Sequence, residues 1–143
     1  MQRMPESLPL PSYPANRCAL PAMVAAVGSP CEASALPRAL RLRIELVVEE
    51  LVANTLAHGY REAAEGKHIW MRVSADPDGV SLSYQDEGPP FNPLAAGPDS
   101  AERAVRSGRP GGVGGAIIGA LPVEARYARI DGRNALELRF PLT

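Results

Sequence analysis

Cysteine is scarce in this chain of 143 residues: Cys18 and Cys31 are the only two. They have no metal-ligand spacing and no Cys/His cluster beside them, which argues against a zinc framework and leaves two reduced thiols as the simplest reading, with a disulfide as the alternative. Long hydrophobic runs are also missing. No apolar stretch approaches the length that crosses a bilayer, and the first six residues, Met-Gln-Arg-Met-Pro-Glu, lack a secretory apolar core. Nor is there an excess of charge: 15 basic against 16 acidic residues give a net charge of −1, too balanced for a nucleic-acid binder that relies on counterion release. No internal repeat is visible. The expectation is a cytoplasmic protein that contacts neither nucleic acid nor membrane directly.

What remains is an ordinary globular composition. A hydrophobic content of 45% in a chain of this length supports one domain over residues 1–143 with its own core. Prolines at 5, 9, 11 and 14 mark residues 1–14 as an extended arm, with a short edge strand around 6–10. Residues 15–27 are Ala-rich and read as helical, with Pro21 as a kink or in the first turn of a shorter helix. Gly28-Ser-Pro-Cys31 reads as a break. A second helix is expected from Ser34 or Leu36 to Ala57, with Gly59 as its C-terminal cap. Residues 68–75 and 80–86 alternate apolar and polar around the turn Asp76-Pro-Asp-Gly79, which predicts two strands. Residues 95–110 are long, polar and rich in Gly and Pro, and fit a lid. A short helix is expected over 116–121. Strands over 123–130 and 135–140 follow, joined by the hairpin signal Asp131-Gly-Arg-Asn134. The fold class is α+β: a two-layer α/β sandwich with helices on one face of a mostly antiparallel sheet.

The second helix carries the most informative pattern. Ile44, Val47, Val48 and Leu51 form its buried stripe. Glu50, Asn54 and His58 stand beside it at successive i, i+4 spacing and share a face. A soluble helix does not need a carboxylate and a carboxamide there. A site that needs a general base and an oxygen ligand for a hard cation does. His58, at the helix end, suits capping and the helix dipole better than catalysis. On the second strand, Asp86 falls on the same face as Val80, Leu82 and Tyr84. A carboxylate delivered to a core-facing position is costly unless something hydrogen-bonds to it, so Asp86 predicts a ligand contact.

Three segments in order complete the pattern: Glu50-x-x-x-Asn54, then Asp86-Glu-Gly-Pro-Pro-Phe-Asn-Pro93, then Gly111-Gly-Val-Gly114. Together they resemble the nucleotide-binding boxes of the GHKL ATPase/kinase superfamily, which groups gyrase-type, Hsp90-type, histidine-kinase and mismatch-repair ATPases. The chain is most similar to its small single-domain branch, the anti-sigma-factor serine/threonine kinases of bacterial partner-switching systems. The resemblance runs from about residue 40 to 140, and three boxes in order are far more specific than any one alone.

The resemblance implies a role for each box. Glu50 is the catalytic residue, the general base for the attacking hydroxyl, since phosphoryl transfer is mostly positioning and electrostatics. Asn54 is the metal ligand, its amide oxygen completing the shell of a Mg²⁺ that also binds phosphate. Asp86 reads adenine by accepting from its exocyclic amine, Gly88 lets the backbone approach the base, and Phe91 walls the pocket. Gly111, Gly112, Val113 and Gly114 offer backbone N–H groups to the phosphates ahead of a helix, and Arg109 adds charge on the γ-phosphate side. The chain departs from its relatives at Pro90, where many have glycine, at Gly115, where the branch has a larger apolar residue, and at Pro122.

The expected function is therefore that of an ATP- and Mg²⁺-dependent serine/threonine protein kinase that is also an anti-sigma-type switch. Its partners would be a small anti-anti-sigma-type antagonist, which it phosphorylates, and a sigma factor or other regulatory target, which it sequesters. A homodimer is expected from the resemblance only. The alternative from another class is a nucleotide-binding switch module that holds partners without efficient phosphotransfer. A catalytic piece of histidine-kinase type is disfavoured, since the 143 residues include no phosphoacceptor-His dimerisation helix.

Overall fold

A computed structural model of the chain describes residues 10–61, 64–93 and 124–142. The expected strand at 6–10, the lid over 95–110, the phosphate box from Arg109 to Gly114, Gly115, the helix at 116–121 and Pro122 lie outside these residues.

The chain enters through β1 (Ser12–Pro14) and a 3-10 turn (Arg17–Ala19), then forms α1 (Leu20–Ala33) and α2 (Arg38–Asn54), which continues as a π turn (Thr55–Gly59). Two hairpins follow, β2 (His68–Asp76) with β3 (Gly79–Asp86) and β4 (Glu124–Ile130) with β5 (Arg133–Pro141). The strand order is β1-β2-β3-β5-β4, and every pairing is antiparallel. This is the expected α+β two-layer arrangement.

The helices form because their apolar residues recur at helical spacing. Met23, Val27 and Cys31 of α1 and Ile44, Val47, Val48 and Leu51 of α2 are buried, so each helix turns one stripe inward. They meet the inward rows of β2 (Ile69, Met71), β3 (Val80, Leu82, Tyr84) and β5 (Leu136, Leu138, Phe140). Pro21 sits in the first turn of α1, where its missing N–H costs nothing. Asn16 caps the preceding turn by accepting from the Ala19 N–H.

Three expectations need correction. The break at Gly28-Ser-Pro-Cys31 does not occur: α1 runs through to Ala33 with Pro30 inside it. Pro30 removes one helical hydrogen bond near the end of the helix, and burial of Val27 and Cys31 outweighs that loss. An edge strand forms at Ser12–Pro14, where it pairs with 68–70 of β2, and its proline is tolerated because this is the sheet edge. The α-helix ends at Asn54 rather than Ala57, since the Tyr60 N–H reaches back five residues to the Thr55 carbonyl, 2.7 Å. Gly59 is not a left-handed cap; the positive φ after the helix belongs to Arg61, at 51°. His58 is exposed.

The hairpins follow their turn residues. Ile130 pairs with Arg133, so Asp131 and Gly132 alone form the turn, at φ 51° and 78°. Two successive positive φ values are what a type I′ hairpin turn requires. Among the described residues no helix is long and apolar enough to cross a membrane.

Candidate active site

The C-terminal end of α2 lies over the ends of β3 and β5. Between them is a partly open pocket whose lining includes Asn54, Thr55, Tyr84, Asp86, Phe91 and Asn134.

Asn54 is placed there by the helix period, one turn beyond Glu50. It is 5% exposed, and among the described residues neither its Oδ1 nor its Nδ2 has a hydrogen-bond partner. A buried amide left unsatisfied costs about 1–3 kcal/mol, and native proteins rarely retain such a group without a reason. Glu50 lies about 6 Å back along the helix axis, from the 1.5 Å rise per residue. It is half-buried, whereas its neighbour Glu49 is exposed. Glu50 is not part of the pocket lining.

Asp86 ends β3, 8% exposed. Its Oδ1 accepts from the Gly88 N–H at 3.0 Å and from Asn134 Nδ2 at 2.9 Å, and its Oδ2 accepts from the Thr55 hydroxyl at 2.8 Å. The Tyr84 hydroxyl is 2.6 Å from Thr55 Oγ1 and 3.1 Å from the Leu51 carbonyl. Thr55 and Tyr84 have one proton each to share among these contacts. The charged acceptor takes the better bond, so Thr55 donates to Asp86 and Tyr84 donates to Thr55 or Leu51. Burial pushes the Tyr84 hydroxyl well above its ordinary pKa, against the lowering effect of its bond to Thr55, and the Asp86 charge adds to the rise. It therefore acts only as a neutral group. A carboxylate has about four acceptor directions; among the described residues three on Asp86 are filled, which leaves one on Oδ2.

The loop after Asp86 is tied down from several sides. Asn134, the register partner of Asp86 on β5, donates also to the Pro89 carbonyl at 2.9 Å and accepts from the Phe91 N–H at 3.0 Å and from the Tyr127 hydroxyl. Arg129 donates to the Gly88 carbonyl at 2.6 Å. The Tyr60 hydroxyl accepts from the Glu87 N–H at 2.7 Å and donates to the His68 carbonyl. Burial pushes the Tyr60 phenol up to about 12, against the lowering effect of the Glu87 N–H, with the nearby Asp86 and Glu87 charges adding to the rise.

The structure thus brings Asn54, Asp86 and Phe91 to one pocket, with Phe91 44% exposed at its rim. Gly88 meets the end of the helix. A Cβ there would stand 2.9 Å from the Gly59 Cα, so its bare backbone lets the loop cross the end of the helix. Nothing in the sequence marks Thr55, Tyr127 or Asn134 as site residues. Thr55 follows Asn54 directly and carries no periodic signal, and Tyr127 and Asn134 reach the site only because β5 pairs with β3, a contact between strands that are not consecutive.

Among the described residues there is no group of three or more His, Cys, Asp or Glu that could hold a metal. The unpartnered Asn54 carbonyl oxygen is the kind of hard donor that Mg²⁺ takes singly, with phosphate and water filling its other positions.

Residues 13–140 match the family model of the histidine kinase-like ATPase domain. The sensor protein BasS of Salmonella typhimurium is 34% identical over 64 residues, which are 45% of this chain and 18% of that protein. The chain therefore matches less than a fifth of the length of this relative. The histidine kinase AdeS of Acinetobacter baumannii is structurally similar at a TM-score of 0.47 and 17% identity, over 95% of this chain and 70% of that one.

Proposed function

The chain belongs to the histidine kinase-like ATPase domain family, and from that premise we propose that it is a cytoplasmic ATP- and Mg²⁺-dependent serine/threonine protein kinase of anti-sigma type. It phosphorylates a small anti-anti-sigma-type antagonist and sequesters a sigma factor or other regulatory target. The observation that carries the proposal is Asn54, a buried amide with no partner among the described residues, one turn from Glu50 and in the wall of the pocket that Asp86 closes. The Pro-Phe-x-Pro pattern after Asp86 supports the small serine/threonine branch within the family.

In this reading each group has one task. Asp86 accepts from the adenine amine on its free Oδ2 direction. Asn54 Oδ1 holds Mg²⁺, which neutralises phosphate charge when bound. Glu50 takes the proton of the acceptor hydroxyl as that oxygen bonds to the γ-phosphorus, and the bond from phosphorus to the departing ADP oxygen breaks. A general base of this kind contributes about 10²–10⁴-fold.

A second reading has one observation in its favour: the 64-residue match at 34% identity to a sensor protein. Here the acceptor would be a histidine. The two are separated by incubating the chain with γ-labelled ATP, Mg²⁺ and a serine-bearing anti-anti-sigma-type protein, then treating the product with acid. Label that survives acid supports a serine or threonine ester. Label lost in acid points to phosphohistidine. Bound ATP with no transfer to any acceptor points to a switch that only binds.

A further inference from the structure

Asn134 has every polar atom of its side chain in use. Its Oδ1 accepts from the Phe91 N–H and the Tyr127 hydroxyl, and its Nδ2 donates to Asp86 Oδ1 and the Pro89 carbonyl, with the Gly88 carbonyl 3.4 Å away. The amide cannot turn over. Reversed, its NH₂ would face the Phe91 N–H, which has no lone pair to offer, and its oxygen would face the Asp86 carboxylate and two carbonyls. Phe91 and Tyr127 therefore fix which end of Asn134 meets Asp86.

That orientation decides what Asp86 shows to the pocket. Among the described residues Asn134 and Gly88 fill Oδ1, and one direction on Oδ2 is open, beside the Thr55 hydroxyl that it binds. Asp86 thus presents one acceptor and no donor, which suits a ring amine and repels a ring carbonyl. We propose that Asn134 is the positioning residue that sets the base specificity of this pocket, by holding the Asp86 carboxylate so that a single acceptor direction faces the purine amine. The same amide joins Phe91 to Asp86, both in the pocket lining.

This rests on the reading of the pocket as an adenine site, and one comparison tests both separately. Binding of ATP and of purine riboside triphosphate, which has hydrogen in place of the C6 amine, is measured by calorimetry with Mg²⁺ on wild type, Asn134→Ala and Tyr127→Phe. Wild type should prefer ATP. Asn134→Ala should weaken ATP by about tenfold, the worth of one well-aligned bond to a charged acceptor, and the analogue by less than about twofold, so that the preference collapses. Tyr127→Phe keeps Asn134 but frees one side of its amide, and should shift the ratio the same way by a smaller factor; it carries the test if Asn134→Ala does not fold. Equal weakening of both nucleotides would mean that Asn134 only supports the fold and would overturn the proposal, as would no change in either. A wild type that binds both equally would remove Asp86 as the amine reader and the proposal with it.

Discussion

The Thr55 hydroxyl donates to Asp86 across 2.8 Å, joining the first residue beyond helix α2 to the last residue of strand β3. One bond thus fixes the distance between the helix that carries Glu50 and Asn54 and the strand that carries Asp86. Asp86→Asn puts an NH₂ group among donors from Thr55, Asn134 and Gly88 and leaves a buried mismatch. ATP binding should weaken by about 1–3 kcal/mol, and calorimetry showing wild-type affinity would take Asp86 out of the base site.

Asn54 should trade stability for binding. Replacing an unsatisfied buried amide by an apolar side chain of similar size removes a desolvation penalty, so Asn54→Leu should stabilise the free protein by about 1–3 kcal/mol in urea unfolding. The same variant should lose the Mg²⁺ dependence of nucleotide binding. A destabilised variant that keeps the Mg²⁺ response would contradict both halves.

Gly88→Ala tests the crossing of two backbones. The added Cβ would meet the Gly59 Cα at 2.9 Å, and neither backbone can swing aside as a flexible side chain could. Overpacking of this kind costs about 1–3 kcal/mol. Chemical denaturation should show that loss, and an unchanged midpoint would mean that the loop has room to move.

Tyr60 should make the fold sensitive to alkali. Its folded pKa of about 12 lies above the ordinary 10, so the unfolded state releases its proton first. Its contribution is complete below pH 10 and is lost as pH rises toward 12, up to about 2–3 kcal/mol over two pKa units. Burial raises Tyr84 as well, so the total loss is larger. Unfolding free energies between pH 9 and 11.5 should fall less steeply in Tyr60→Phe; parallel slopes would assign the effect elsewhere.

Much of this arrangement was legible in the sequence because it is periodic. Alternation along residues 80–86 placed Asp86 on the face of Val80, Leu82 and Tyr84, and all four are buried. The 3.6-residue period placed Glu50 and Asn54 on one edge of the core stripe of α2. What was not legible depends on contacts between distant segments. The π turn at Thr55–Gly59 accompanies the crossing of Gly59 by Gly88, and Asn134 meets Asp86 through strand pairing across 48 residues. The helix through Pro30 shows the same limit in the opposite sense, since tertiary burial outweighed a local helix breaker.

The central claim is that Glu50 is the base of a phosphotransfer centre, and its most direct test is single-turnover transfer of labelled γ-phosphate to an anti-anti-sigma-type protein. Glu50→Gln keeps size and helix propensity and cannot take a proton at neutral pH. Transfer should fall by about 10²–10⁴-fold while ATP and acceptor affinity stay near wild type, and Glu49→Gln, about a hundred degrees around the helix, should change little. Full transfer by Glu50→Gln, with loss in Glu49→Gln or in neither, would contradict the account.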